Sequence, residues 1–316
     1  MIALSQIGYI AKRLLQMIPV LFFVTVLIFL MMRLIPGDPA ALRLGDKATP
    51  EMIAALHRKM GLDKPLFTQY FIYLRDLLRL DLGTSLIYQV SVASLLSKRI
   101  VVTLALTLMA SLFMVAVSLP LGYIAGMHKD DAIDQAVRTG ALVFISMPQF
   151  WVAMLLLLLF ALKLRWVPVA GWGDTWLQHV YALILPAITD SLMGIALVAR
   201  NLRSNVVEVS GKDFVDFARS KGLTEKIIRS RHIVRNALVS TVTLLALRMT
   251  LMLAGSIVVE NVFALPGVGS LMISSIFARD YAVVQAVVFV FALVVLVINL
   301  LTDLSYSMLD PRVRLE

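Results

Sequence analysis

Long apolar stretches separated by short polar segments run through most of this chain of 316 residues. Each of the six longest holds about 19 residues or more, enough for a helix rising 1.5 Å per residue to cross a hydrocarbon layer about 30 Å thick. A spanning segment must be helical, because lipid offers no partner to backbone N–H and C=O groups. We therefore predict an all-α integral membrane protein with spans at 14–32, 101–126, 139–162, 180–199, 237–259 and 282–302.

The composition agrees with a membrane protein and removes several other classes. Hydrophobic residues make up 60% of the chain and charged residues 16%, which lies outside the usual range of soluble domains. There is no cysteine, so disulfides, thiolate metal sites and thiol nucleophiles are excluded. The net charge of +9 does not indicate nucleic-acid binding, because the positive residues cluster in loops that flank the spans and there set topology.

The lysines and arginines of the short loops predict how the chain lies across the membrane, because cytoplasmic loops carry more of both. The first span is too long for a signal peptide and lacks a small-residue cleavage site, so we expect it to be retained. Both termini are expected in the cytoplasm, and the loop 33–100 outside. The cytoplasmic side would hold Lys12, Arg13, Lys129, Arg138, nine residues from Arg200 to Arg235, Arg312 and Arg314, against Lys163, Arg165 and Arg279 on the other side.

The external loop 33–100 has helical signals of its own. Thr49 is a plausible N-cap with Pro50 in the first helical position, and Gly61 is a plausible stop. After Pro65, apolar residues recur with helical spacing, which predicts an amphipathic helix lying on the bundle or on the membrane surface. We interpret the loop as a brace for the bundle in preference to a substrate-contacting element.

A polar, strongly basic segment, 200–235, separates the fourth and fifth spans. Asp213 and Asp216 are early in a short helical stretch, where acidic residues favour the positive end of a helix. Gly222 permits a left-handed stop. Thr224 can cap a second helix, from Glu225 to about Asn236, that leads into the fifth span. The sequence therefore predicts a helix, a glycine turn and a second helix on the cytoplasmic side.

Two features of this segment suggest that another protein docks on it. Ala218 and Gly222 are small and four residues apart, which would leave one helix face shallow. Phe214 and Phe217 are bulky apolar residues in a water-facing loop, and exposed aromatics often mark an interface. An ordinary loop whose basic residues only fix the topology is the alternative, and the segment by itself does not decide between the two.

Motifs along the whole chain carry a resemblance to a known family. The spacing of Asp216, Phe217, Ala218 and Gly222 resembles the E-A-A-x-x-x-G loop of ABC importer permeases. In order and spacing, the further motifs resemble the dipeptide/oligopeptide/nickel class of those permeases. They are Arg33 to Pro39, Gly61 to Leu66, Asp81-Leu82-Gly83-x-Ser85, Ser146-Met147-Pro148-x-Phe150-Trp151, Arg235 to Leu238, Glu260 to Gly269, Arg279-Asp280-Tyr281 and Asp310 to Arg314.

The resemblance implies a type I importer permease of the bacterial inner membrane. Its partners would be a second, similar permease, two cytoplasmic ATPases that hold ATP and Mg²⁺, and an external solute-binding protein. Residues 1–100 would form the N-terminal span with its external loop, and residues 101–316 a five-helix core. The stretch 213–223 would be the coupling helix in the ATPase groove, with contacts from Asp213, Phe214, Asp216, Phe217, Ala218, Arg219, Lys221 and Gly222. Asp216 and Phe217 depart from the family pattern, which puts details of that contact in doubt.

Two charged residues lie near the middle of predicted spans, Asp190 in the fourth and Arg248 in the fifth. Either one at the bilayer centre costs about 2.5–3.5 kcal/mol on insertion scales, so neither should face lipid. Their similar predicted depth and opposite sign favour an interhelical ion pair. A place on the translocation path, in contact with a charged end of the substrate, or pairing with the partner subunit are the alternatives.

Catalytic motifs are missing from the sequence. It contains no G-x-x-x-x-G-K-[ST] phosphate loop, no H-E-x-x-H and no G-x-S-x-G. We therefore expect a transport subunit that is not an enzyme and that has no cofactor or metal of its own. The family resemblance implies a di- or oligopeptide as the cargo, with a nickel chelate or a glutathione-like peptide as alternatives. An ion-coupled secondary transporter would need paired inverted halves, which the sequence does not display.

Overall fold

The computed structural model describes residues 2–34, 38–44 and 48–309. The predicted motifs at 33–39 and 310–314 therefore lie partly or wholly outside the described residues, as do Arg312 and Arg314. The regular structure of the described residues is helical. Its helices are α1 (Ile2–Leu34), α2 (Pro39–Leu44), α3 (Pro50–Met60), α4 (Leu66–Leu78), α5 (Val92–Met127), α6 (Ala132–Ser146), α7 (Gln149–Leu156), α8 (Trp176–Ser210), α9 (Asp213–Ser220), α10 (Glu225–Ile227), α11 (Arg235–Val262), α12 (Val268–Phe277) and α13 (Tyr281–Leu309).

The predicted spans are confirmed, with one change in the third. Five apolar helices long enough to cross a membrane lie at Ile10–Met31, Val92–Met127, Trp176–Ser210, Glu225–Val262 and Tyr281–Leu301. The third predicted span, 139–162, corresponds to two helices, Ala132–Ser146 and Gln149–Lys163. The chain bends by 105° at the break between them. Met147, before Pro148, is extended (φ −86°, ψ 132°), since a residue preceding proline is pushed out of the helical region. Pro120 and Pro186, by contrast, lie inside continuous helices.

Contacts divide the chain into two compact units, which are described separately. One contains residues 1–100 and 271–297, and the other contains residues 101–270 and 298–316. The predicted division at residue 100 remains a prediction, and the structure adds that 271–297 groups with the N-terminal stretch.

In the first unit, the helices expected between the first two spans are present. Thr49 accepts a hydrogen bond from the backbone N–H of Met52, 3.3 Å away, and α3 ends at Gly61 in a left-handed conformation (φ 67°). A second loop is held by a buried carboxylate. Ser85 Oγ donates a 2.5 Å hydrogen bond to Asp280 Oδ2, and the backbone of Ile87 donates to the same oxygen at 3.3 Å. The motifs at 81–85 and 279–281, which are far apart in the sequence, are therefore in contact.

In the second unit, α8 is the central helix. In its 18-residue apolar stretch 67% of the chain is buried, against 28% in that of the span Glu225–Val262. Glycines allow α5 to approach it closely. A Cβ at Gly122 would lie 2.7 Å from the carbonyl oxygen of Ala199, and one at Gly126 would lie 2.6 Å from Cβ of Val206. The core around these helices includes Leu106, Met114, Ala153, Leu185, Val198, Met252 and Val259.

Candidate functional site

The predicted helix of the polar segment is confirmed as α9, which directly follows the central helix α8. Lys212 is its N-cap residue, and Asp213 and Asp216 lie in its first turn, where their charges favour the positive helix end. The backbone leaves the helix after Lys221 through Gly222, whose φ of 77° is the left-handed conformation expected from the sequence.

One face of α9 packs against the chain itself. Val215 is 0% exposed and Ala218 is 4% exposed. Both belong to an apolar cluster with Leu202, Val206, Ile228, Ile233 and Ala237, contributed by α8 and by the start of the fifth span. The expectation that Ala218 opens a shallow face toward a partner is therefore wrong, because the small side chain admits the neighbouring helices instead.

The opposite face of α9 carries the predicted exposed aromatics. The exposed fraction is 43% for Phe214 and 61% for Phe217, and Asp213 and Asp216 are exposed beside them. Lys221 Nζ lies 4.4 Å from the ring centroid of Phe217, within the range of a cation–π contact. We refer to Asp213, Phe214, Asp216, Phe217 and Lys221 as the outward face of α9.

Arg219 ties the end of α9 to the next helix across the glycine turn. Its Nη1 donates to Asp216 Oδ1 and its Nε donates to Glu225 Oε1, both at 3.0 Å. The hydrogen bonds to Glu225 and Asp216 raise the pKa of the guanidinium above its ordinary value. Exposed pairs of this kind contribute little stability, and here they link the last turn of α9 to Glu225 across the glycine turn.

The second predicted helix does not end near Asn236. Thr224 stands at its N-cap position, although its side chain makes no capping hydrogen bond. The helix then continues without a break from Glu225 to Val262, 38 residues in all, with a π-helical stretch at Ile228–Val234. The turn that follows α9 is therefore joined directly to a span.

A buried ion pair that sequence reasoning missed lies in the same unit. Arg203 Nε donates to Asp134 Oδ1 at 2.8 Å, and its Nη2 donates to Oδ2 at 2.5 Å. Asp134 is 0% exposed, and the backbone N–H of Asp130 donates to it as well, at 3.0 Å. The pair links α6 to α8. The sequence did not distinguish Arg203 from the other eight basic residues between Arg200 and Arg235, which were used only to predict topology.

The predicted ion pair between Asp190 and Arg248 is absent from the described part of the chain. The hydrogen-bond partner of Asp190 is Gln149, whose Nε2 donates to Oδ1 at 2.9 Å. Gly255 lies opposite: a Cβ there would be 2.9 Å from the same oxygen. Arg248 precedes Gly255 by seven residues on α11, which is two turns or about 10 Å along the axis. The two charges therefore lie at different depths.

Both charged residues keep atoms free for another partner. Asp190 is 5% exposed, and its Oδ2 has no hydrogen-bond partner among the described residues. Nε of Arg248 is likewise buried without one in the part of the chain that the structure covers. Gln149 has no charge and stands at the unspecified position of the motif Ser146 to Trp151, so the sequence did not single it out. It is placed here because the break at Pro148 turns α7 toward α8.

A further buried carboxylate organises the turn after α11. Glu260, which is 0% exposed, accepts hydrogen bonds from Thr103 Oγ1 at 2.6 Å and from the backbone of Ser270 at 2.9 Å. A Cβ at Gly267 would overlap its carboxylate. The sequence analysis identified Glu260 only as the first residue of the motif Glu260 to Gly269. Among the described residues, no three His, Asp or Glu side chains are grouped to hold a metal ion.

Family comparisons identify the chain's relatives. Residues 118–315 match the family described as binding-protein-dependent transport system inner membrane component, and residues 6–107 match the N-terminal family of the same components. A peptide transport system permease protein of Brucella abortus (strain 2308) is 40% identical over 310 residues, 97% of this chain and 99% of that protein. The glutathione transport system permease protein GsiC of Salmonella choleraesuis is 38% identical over 309 residues, 98% and 99% respectively.

Solved structures agree on the fold. An inward-facing structure of the MetNI methionine ABC transporter matches with a TM-score of 0.56 at 17% identity, covering 69% of this chain and 97% of that one. An amino acid ABC transporter crystallised with histidines matches with a TM-score of 0.55 at 18% identity, covering 68% and 94%. At such identities the likeness shows the fold alone, that of type I ABC importer permeases. Taken with the sequence matches, it shows that the chain belongs to the family of binding-protein-dependent transport system inner membrane components.

Proposed function

We propose that this chain is a permease subunit that carries di- or oligopeptides across the bacterial inner membrane, driven by ATP hydrolysis in partner subunits. Family membership supports the general part, an ABC importer permease in the inner membrane. Two relatives that span nearly the whole chain are named for peptide and glutathione transport. Glutathione is itself a modified tripeptide, so both names favour a cargo with peptide bonds and charged ends.

The proposed complex contains a second, similar permease, two cytoplasmic ATPases and an external solute-binding protein. Both termini of this chain would lie in the cytoplasm, on the same side as α9. ATP and Mg²⁺ would bind to the ATPases, and this chain would need no cofactor. It would perform no chemistry on the cargo.

The outward face of α9 is the observation that carries the coupling role. An exposed aromatic pair, Phe214 and Phe217, is presented by a short helix whose other face is anchored in the core through Val215 and Ala218. A rigid apolar projection of this kind fits a groove on a partner better than it fits water. We assign Asp213, Phe214, Asp216, Phe217 and Lys221 to direct contact, and Ala218, Arg219 and Gly222 to holding the helix in place.

The connections of α9 indicate how such a contact would drive transport. The helix is joined to α8 at one end and to the span Glu225–Val262 at the other. Movement of the ATPases would therefore displace two core helices together. Coupling of this kind requires a permease with two states that ATP binding favours unequally, here one open inward and one open outward.

Substitution of the exposed aromatic residue tests the coupling role. Phe217→Ala removes the more exposed ring without disturbing the buried face, whereas Ala218→Arg would also disrupt the core. We expect Phe217→Ala to insert normally but to lose most of the co-purifying ATPase and most uptake. Phe277→Ala, at another exposed aromatic residue (84% exposed), is the matched control. Normal ATPase retention and normal uptake in Phe217→Ala would remove the basis of the assignment.

For Asp190 and Arg248 we propose contact with the charged ends of the cargo during translocation. The free Oδ2 of Asp190 suits an amino terminus, and the free Nε of Arg248 suits a carboxylate. Asp190→Asn can still accept the hydrogen bond from Gln149 through its amide oxygen. We expect it to reduce uptake of peptides with a free amino terminus more than uptake of the N-acetylated forms. An equal loss for both would exclude this contact.

Uptake in a knockout strain complemented with this gene would identify the cargo. Labelled di- and oligopeptides, glutathione and radioactive nickel should be compared in the same strain. Peptide uptake that stops when the ATPases are deleted would support the proposal. Uptake of glutathione or nickel alone would assign the chain to one of those alternatives. Uptake that survives ATPase deletion and stops with a protonophore would favour ion coupling.

A further inference from the structure

The helix α4 has an apolar stripe that is mostly exposed in the described structure. Phe67, Phe71 and Leu78 are 79%, 59% and 78% exposed. With Leu74 they are spaced at i, i+4, i+7 and i+11, so they form one stripe along the helix. We refer to these four residues as the free stripe of α4.

The other faces of α4 are already occupied. Tyr70 and Tyr73 turn toward α1, where their rings lie 5.3 Å and 6.2 Å from that of Phe29. Ile72 lies beside Gly61, at the end of α3: a Cβ on that glycine would be 3.6 Å from Ile72 Cδ1. Packing on α1 and α3 therefore leaves most of the free stripe exposed, with Leu74 half-buried.

The contacts between α4 and α1 fix the depth of α4. Tyr70 OH lies 3.0 Å from Thr25 Oγ1, and its ring centroid lies 6.1 Å from that of Phe22. Both partners are inside the apolar span Ile10–Met31. Thr25 precedes the end of that span by six residues, or about 9 Å along the helix. A helix that reaches this deep along α1 cannot be wholly in water.

Polar groups mark the water-facing border of the same arrangement. Arg33, at the end of α1, donates to the backbone oxygen of Phe29, 3.1 Å away, and to the side chain of Gln69. Gln69 in turn donates to the backbone oxygen of Lys64 at 2.7 Å. Lys64, Arg75 and Arg79 are exposed around α4, and Arg75 also pairs with Asp76 at 2.7 Å. Cations at this level suit the phosphates of lipid headgroups.

We propose that α4 is an interfacial membrane helix whose free stripe enters the acyl chains of the leaflet at the carboxyl end of α1. Lys64, Arg75 and Arg79 then lie among the headgroups, and the polar residue Thr68 faces water. A helix with one apolar face and a polar, charged opposite face adopts this position in a bilayer. The proposal does not depend on the cargo, on the ATPases or on which side of the membrane the termini lie.

Embedding α4 gives the loop 38–91 an attachment to the membrane in addition to the spans at its two ends and its contact with Asp280. The loop is then held at a fixed depth near the carboxyl end of α1, and its movement into solvent is restricted. This anchoring supports the bracing role expected from the sequence and commits it to lipid as the partner.

Single-cysteine labelling tests the position directly, because the chain has no cysteine of its own. Spin labels would be placed by Phe67→Cys, Phe71→Cys and Leu78→Cys on the free stripe, and by Thr68→Cys and Arg75→Cys on the polar face. The full complex would be reconstituted in vesicles of phosphatidylethanolamine and phosphatidylglycerol. Collision rates with oxygen, which concentrates in lipid, and with a water-soluble nickel chelate would then be compared.

We expect oxygen to dominate at the three stripe positions and the nickel chelate to dominate at Thr68→Cys and Arg75→Cys. Dominance of the nickel chelate along the stripe would place α4 in water and overturn the proposal. Low accessibility to both reagents would show that protein covers the stripe, which overturns it equally. Each variant must first retain uptake or normal insertion, and Leu74→Cys replaces any stripe variant that does not.

A second readout uses the same variants. A fluorescent bimane label at Phe71→Cys should be quenched by lipids brominated in their acyl chains, whereas the label at Thr68→Cys should not. Equal quenching at the two positions would contradict an oriented interfacial helix.

Discussion

Thr103 Oγ1 donates a 2.6 Å hydrogen bond to Oε1 of Glu260, 157 residues further along the chain. The same Thr103 oxygen accepts from the backbone N–H of Val268 at 2.8 Å, and Ser270 donates to the other carboxylate oxygen. The turn between α11 and α12 is therefore built around one buried carboxylate and one hydroxyl of α5. Satisfied polar groups of this kind impose a single arrangement, because leaving any one of them unpaired is costly.

Gly267→Ala should destabilise the protein strongly, because its Cβ would overlap the carboxylate of Glu260. Relief of the overlap would break hydrogen bonds to a buried carboxyl group, and each buried partner left unsatisfied costs about 1–3 kcal/mol. Gly140→Ala is the control, since a Cβ there meets nothing within 4 Å. Thermal unfolding of the purified permease in detergent should show a clearly lowered Tm for Gly267→Ala only. Equal Tm values for the two variants would contradict the packing of the turn.

Gly222→Ala should weaken coupling through backbone strain alone. The left-handed φ of 77° costs an alanine roughly 1–2 kcal/mol, and no atom lies within 4 Å of the new Cβ. Gly211→Ala, at the other end of α9, is the matched control because its φ of −95° suits any residue. Uptake driven by the ATPases should fall in the first variant and stay near normal in the second. The opposite order would show that the turn after α9 does not matter.

Asp134→Asn should destabilise the packing of α6 on α8. The amide cannot replace the paired interaction of the carboxylate with Arg203, and breaking a buried pair costs about 3–5 kcal/mol. Since Arg203 retains 15% exposure, we expect a smaller loss, about 2–3 kcal/mol. Asp130→Asn is the control, because Asp130 is 71% exposed and 3.9 Å from the guanidinium. Denaturant or thermal unfolding measures the difference, and equal stability of both variants would count against a structural role for the pair.

Exchange of the charges at Asp190 and Arg248 should not restore function. In the double variant Asp190→Arg with Arg248→Asp, the new arginine would face Gly255 and Gln149, with the new carboxylate about two turns away. Uptake should therefore remain as low as in the worse single variant. Recovery above both single variants would demonstrate an ion pair in another state of the transport cycle.

Local signals predicted local structure well in this chain. Thr49, Pro50 and Gly61 indicated the bounds of α3, and Gly222 indicated the turn after α9, because caps and left-handed glycines act over one helical turn. The exposure of Phe214 and Phe217 was also expected correctly. The burial of Ala218 was not expected. The side of a short helix that packs inward depends on the helices beside it, which local sequence does not specify.

Contacts between distant segments could not be predicted in the same way. Depth along two spans suggested that Asp190 and Arg248 would meet, but the register of α8 against α11 places Gly255 opposite Asp190. Register is set by close packing of many side chains, and a shift of two turns changes every pair. Gln149 reaches Asp190 only because the chain bends by 105° at Met147 and Pro148.

The sequence by itself determined the class of the protein, six apolar segments of which five are continuous spans, and the helix, turn and helix after the fourth segment. Burial in lipid and helix capping depend on neighbouring residues alone. The tertiary structure decided which charges are paired and which keep free atoms. Asp134 meets Arg203, Glu260 meets Thr103, and Asp190 meets Gln149, across separations that no local pattern encodes. A buried polar group takes whichever partner the packing of the helices brings within about 3 Å, and only the folded arrangement specifies which partner that is.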